Sequence, residues 1–196
     1  GSEMCIRDRR KSIAGGGTKT VDLKVKKICS VLGSLVILVP LYIVLHEGGH
    51  ALTAVACGAR ITGFSVLGAY MRYEGGIFTP AALSLFHAAG VGLPVLVLTA
   101  WMLAYRSGAA GVFYRIFSFL SLLLPLGALL AWAVVPVLYA MGKAPRGDDV
   151  TRFLDSSGFS PWAVLCGAVL LFAGCVALAR RKRIIQNYWA AVRQEE

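Results

Sequence analysis

The 196-residue chain is 57% hydrophobic and only 15% charged, against roughly 25% charge in a soluble globular domain. With a mean hydropathy of +0.69, that composition excludes an ordinary soluble enzyme and leaves room for one compact helical membrane domain. A formal net charge of +10 raises nucleic acid as a partner, but the basic residues sit beside apolar runs, where lipid headgroups satisfy them, and no nucleic-acid partner is expected.

Met4-Cys5-Ile6-Arg7-Asp8-Arg9 reads as translated sequencing-adapter sequence, is set aside from fold reasoning, and puts the expected natural start somewhat later. Residues 10–27, with the Gly15-Gly16-Gly17 tract, read as a flexible basic arm on a membrane surface. The expected division is therefore 1–27 as adapter and arm, 28–179 as a transmembrane domain and 180–196 as a basic tail. No cleavable signal peptide is expected, because the first apolar run is long and carries the motif described next. Cys29, Cys57, Cys166 and Cys175 lack C-x-x-C spacing and read as buried small hydrophobes without a disulfide.

The first span is expected from about Ile28 to Cys57, roughly 45 Å of helix at about 1.5 Å per residue, longer than a hydrocarbon layer of about 30 Å, so it must tilt or protrude. Ile28 to Leu45 is an eighteen-residue run without a charge, and it ends in His46-Glu47-Gly48-Gly49-His50. Residues four apart share a helix face, so His46 and His50 can turn ring nitrogens toward one metal ion while Glu47 reaches a water bound to it. Ionisable groups at membrane depth cost about 2.5 kcal/mol or more and mark function, and Gly48 and Gly49 each cost a helix about 1 kcal/mol against Ala.

Residues 59–78 do not look helical. Arg60 to Val66 and Ala69 to Tyr73 are rich in β-branched and aromatic residues, joined at Leu67-Gly68 and closed by Gly75-Gly76, which predicts a β-hairpin whose edge could pair with another strand. A second span opens at Thr79-Pro80 and runs to about Tyr105, with Gly90, Gly92 and Pro94 predicting a kink or break. The third covers about Val112 to Met141 and the fourth Ser160-Pro161 to Ala179. Counting Lys and Arg puts both termini on the cytoplasmic side, with the hairpin and the Gly142 to Ser160 loop opposite.

A catalytic zinc takes three protein ligands and leaves a position for water, so His46 and His50 need a partner. The candidates are His87, Glu74, Asp148, Asp149 and Asp155. The first and third spans travel the same way, so the motif and Gly147-Asp148-Asp149 emerge on one side of the membrane.

In His46-Glu47-Gly48-Gly49-His50-Ala51-Leu52, in the hairpin ending Glu74-Gly75-Gly76 and in Gly147-Asp148-Asp149-Val150, the chain resembles the site-2 protease family of intramembrane zinc metalloproteases, in its small, minimal branch. The resemblance covers most of residues 28–155. It implies an all-α polytopic membrane protein of about four transmembrane helices with a short β-hairpin between the first and second. It implies Zn2+ held by His46, His50 and an aspartate at 148 or 149, with Asp149 preferred because small-branch members resemble Gly-x-Asp followed by an apolar residue. Glu47 would be the general base, activating a zinc-bound water. The hairpin, Arg60 to Ile77, would hold a membrane-embedded protein substrate as an added strand, in the cytoplasmic membrane of a bacterium or archaeon.

The chain departs from the family at one point: larger members carry Asn-Pro-x-Pro-x-Leu-Asp-Gly and Gly-Pro-x-x-Asn segments, whereas the only asparagine here is Asn187. His87, Arg146 or a backbone N–H would have to replace the amide as oxyanion donor. Otherwise His87 is a core histidine bonded to a carbonyl, and Asp148 and Asp155 cap or solvate the loop. Two other functions fit the same residues. A non-catalytic zinc-binding scaffold, or pseudoprotease, is opposed by the intact Glu47, and a metal transporter needs less than a general base between two ligands.

Overall fold

The computed structural model describes residues 2–109 and 111–193, with side chains from Asp22 onward. In chain order the elements are α1 (Ser2–Ala56), β1 (Ala59–Ser65), β2 (Tyr70–Gly75), α2 (Pro80–Ala104), α3 (Val112–Ala140), α4 (Asp149–Ser157), α5 (Pro161–Arg181) and α6 (Ile184–Arg193). Four helices are long and apolar enough to cross a membrane, α1 over Asp22–Ala56 together with α2, α3 and α5, which makes this a polytopic, all-α membrane architecture with a hairpin between the first two spans. The adapter-like opening and most of the expected basic arm lie outside the residues with described side chains. From Asp22 to Lys27 the chain is helical, so no flexible arm exists there.

Outward-facing side chains along the spans are large and apolar: Val36, Leu96 and Leu170 are 73%, 68% and 72% exposed. Such surfaces would aggregate in water and match hydrocarbon. Inside, the largest cluster joins α2, α3, α5 and α6 through Leu98, Met102, Leu122, Leu129, Cys175 and Ile184. A second, of Val135, Val150, Leu154 and Val164, seats α4 between the ends of α3 and α5.

Thr79 caps α2, accepting from the Ala82 N–H at 3.2 Å ahead of Pro80 at the first helical position. Of the kink or break expected from Gly90, Gly92 and Pro94, no break occurs: α2 runs unbroken from Pro80 to Ala104 with Pro94 inside it. Gly90 has another purpose: a Cβ there would come within 2.5 Å of His50 Nε2 and 2.8 Å of His46 Cε1. Gly49 faces it from α1, where a Cβ would run into the backbone carbonyl of Ala89. The two glycines let α1 and α2 approach to backbone contact, the small-residue packing of membrane helices.

The hairpin is antiparallel, pairing Arg60 with Glu74 and Phe64 with Met71, with an irregularity between Ile61 and Gly63. Its base is tied to α1 by the Ile77 N–H donating to the Cys57 carbonyl at 2.9 Å, and by Phe86 packing with Ala54, Ala59 and Phe78. Residues 142–160 and the tail, read as a loop and a basic extension, instead contain α4 and α6. Asp148 caps α4 by accepting from the Val150 N–H at 2.9 Å, and Gly158 ends it at φ +65°. Helix α6 folds back onto α3, stacking Tyr188 on Phe119 at 3.9 Å between ring centroids.

Candidate metal centre

Helical spacing on α1 stacks His46 above His50, with their Nε2 atoms 3.3 Å apart. Asp149, the first residue of α4, turns Oδ2 to both, 3.4 Å from His46 Nε2 and 3.2 Å from His50 Nε2. The three donor atoms thus form a nearly equilateral triangle. Zinc bonds of about 2.0–2.1 Å at tetrahedral angles give ligand-to-ligand edges of about 3.3–3.4 Å, so the triangle fits one face of a zinc tetrahedron.

The donor chemistry fits too. His50 Nδ1–H donates to the Phe86 carbonyl at 2.7 Å, which leaves Nε2 of the neutral ring a bare lone pair pointed at another ring nitrogen and a carboxylate oxygen. Three electron-rich atoms this close suit a shared cation. Burial would raise the Asp149 carboxyl, but the two imidazoles beside it outweigh burial and hold the group well below the usual carboxylate range. His46 is less anchored: its buried Nδ1 has no hydrogen-bond partner among the described residues, and its ring lies 5.9 Å from Tyr42, one turn earlier. This group of His46, His50 and Asp149 could hold a metal ion.

The triangle forms part of the wall of a cavity of about 760 Å³, which Glu47, His87, Tyr70, Tyr73, Arg152 and Asp155 also line. Glu47, next to His46 and half-buried, lines the same cavity and makes no hydrogen bond or ion pair among the described residues. The hairpin reaches the cavity through Ala69, Tyr70, Met71 and Tyr73.

Of the other acidic candidates, Asp148 is spent on the cap of α4, Asp155 accepts from the Tyr139 hydroxyl at 2.7 Å, and Glu74 sits 3.8 Å from Arg60 on the exposed hairpin. Arg146 is exposed and does not line the cavity. Among the described residues His87 bonds to no carbonyl, and its Nδ1 faces Asp149 Oδ1 at 3.4 Å. Asn187 is far from all of this, donating to the Tyr105 hydroxyl and the Ser107 carbonyl beyond the other end of α2. The sequence reading missed Arg152 as a cavity residue. Its signal was its place three residues after Asp149, one helical turn along the same face. No protein-family model, no curated protein and no solved structure matches this chain.

Proposed function

We propose that the chain is a zinc-dependent intramembrane endopeptidase resembling the site-2 proteases, cleaving peptide bonds of membrane-embedded substrates. The observation that carries this is the ligand triangle with edges of 3.2–3.4 Å and the Glu47 carboxylate one residue from its first corner, all on the wall of one cavity. His46, His50 and Asp149 would hold the ion. Bound zinc supplies a Lewis acid that makes water acidic near neutral pH and polarises a carbonyl.

Glu47 accepts the proton of the attacking water as its oxygen joins the scissile carbonyl carbon. It then delivers that proton to the leaving amine nitrogen as the C–N bond breaks. A substrate helix keeps its peptide bonds hydrogen-bonded inside lipid and must unwind before attack. The strand edge of residues 60–77, which places Tyr70 and Met71 on the cavity, offers an unwound segment backbone partners. By charge count both termini face the cytoplasm of a bacterial or archaeal cell.

One observation favours a second reading, a zinc-binding scaffold that does not cut: the chain's single asparagine lies away from the cavity and leaves it no side-chain amide. Glu47→Gln separates the two. It should leave zinc content and thermal unfolding unchanged while cleavage of a co-reconstituted single-span substrate falls by about 10²–10⁴. Wild-type protein that binds zinc and cuts no member of a broad library of spans supports the scaffold instead.

A further inference from the structure

His87 is a buried imidazole, 5% exposed, that takes no corner of the ligand triangle yet faces it. Its Nδ1 lies 3.4 Å from Asp149 Oδ1, the oxygen that Asp149 does not turn to His46 and His50. We propose that His87 is a positioning residue of the metal centre: it holds the second oxygen of Asp149 so that Oδ2 stays aimed at the two ring nitrogens. This rests on the metal-centre reading above and deepens it.

The need for such a residue follows from the way Asp149 is carried. His46 and His50 are built into a long span, but Asp149 begins a nine-residue helix that crosses nothing. Its carboxylate can rotate about two side-chain bonds, and only contacts from other elements can stop it. Helix α2 provides two: Ser84 Oγ meets Ser156 Oγ at 2.9 Å, and His87 meets Asp149. Ser84 and His87 are three apart on α2 and Asp149 and Ser156 seven apart on α4, so each pair lines one helix face and the two rungs dock α4 antiparallel to α2.

The same turn of α2 serves the second ligand, since the carbonyl of Phe86 takes the Nδ1–H of His50. Adjacent residues 86 and 87 therefore hold two of the three ligands, one through the backbone and one through a side chain. With its proton on Nδ1, His87 donates to that oxygen across 3.4 Å, and outer partners of this kind set ligand orientation and metal affinity.

The test uses the full chain in lipid nanodiscs, with zinc affinity measured by chelator competition, the visible spectrum of the Co2+-loaded protein, and thermal unfolding. His87→Leu, which fills similar volume, should weaken zinc by about 10–100-fold and alter the Co2+ spectrum. His87→Asn, whose amide N–H can stand where Nδ1 stands, should restore most of both, at an unfolding temperature no higher than that of His87→Leu. A His87→Leu protein with wild-type affinity, or His87→Asn as weak as His87→Leu, overturns the proposal. So does zinc binding that survives Asp149→Ala but not His87→Leu, because His87 would then be the ligand itself. Wild-type protein that takes up no zinc removes the metal reading as a whole, a failure distinct from that of His87 alone.

Discussion

At the crossing of α1 and α2 a Cβ on Gly49 would meet the backbone of Ala89, whereas Gly127, Gly167 and Gly174 on α3 and α5 have nothing within 4 Å of where a Cβ would stand. The first crossing is closed by small residues and polar contacts, among them the Phe86 carbonyl to His50. Between α2, α3 and α5 the space is filled by Leu98, Met102, Leu122 and Leu129. In lipid no hydrophobic drive pushes helices together, so backbone contact through glycine and interhelical hydrogen bonds does that work. The His46, His50 and Asp149 group, which could hold a metal ion, lies beside this glycine crossing, where a Cβ on Gly90 would meet both imidazoles.

Losing Asp149 should do most damage on the α1–α2–α4 side. Asp149→Ala is expected to weaken zinc by more than the roughly 100-fold lost with a residue that only orients a ligand, while Asp155→Ala leaves zinc content at the wild-type level. Metal analysis of the purified variants checks both. An empty Asp148→Ala protein beside a loaded Asp149→Ala one would shift the ligand by one residue.

Next in size, Leu122→Ala in the side-chain-filled cluster should cost about 2–5 kcal/mol of stability without moving zinc affinity. Reversible denaturation in mixed micelles reads the first and chelator competition the second. A parallel drop in affinity would mean that the two interfaces are coupled and the contrast between them false.

Gly49→Ala should cost about 1–3 kcal/mol, because the obstacle is a backbone carbonyl that cannot rotate away, and it should weaken zinc as α1 and α2 separate. Gly174→Ala, by contrast, meets open space in a helix interior and is expected to stabilise by up to about 1 kcal/mol. Equal effects at the two glycines would erase the comparison.

The smallest change belongs to Asp148→Ala, which removes the cap of α4. About 1 kcal/mol of stability should go, seen as a lower unfolding temperature, with zinc still bound.

The four spans and the hairpin were readable because each rests on local chemistry: uncharged runs long enough for a bilayer, Thr79-Pro80 and Ser160-Pro161 at helix starts, and β-branched residues between glycines. Two short helices were not foreseen, although each left a trace. Val150 and Leu154 repeat at helical spacing between the Asp148 cap and Gly158, and Ile184, Tyr188 and Ala191 repeat in the same way along α6. Charges among these apolar residues hid the pattern from a reading tuned to spans.

Residue order alone placed His46, Glu47 and His50 together, because a helix repeats every 3.6 residues and needs nothing else to bring positions four apart onto one face. It could bring Asp148 and Asp149 to the right side of the membrane but could not choose between them. That choice belongs to the tertiary structure: adjacent residues at a helix start point in different directions, so once Asp148 turns back to cap α4, Asp149 is the one that faces the imidazoles. The same holds for His87 and Gly90. Nothing near them in the chain shows that one meets Asp149 and that the other leaves room for His50, because both facts arise only where α2 crosses α1 and receives α4.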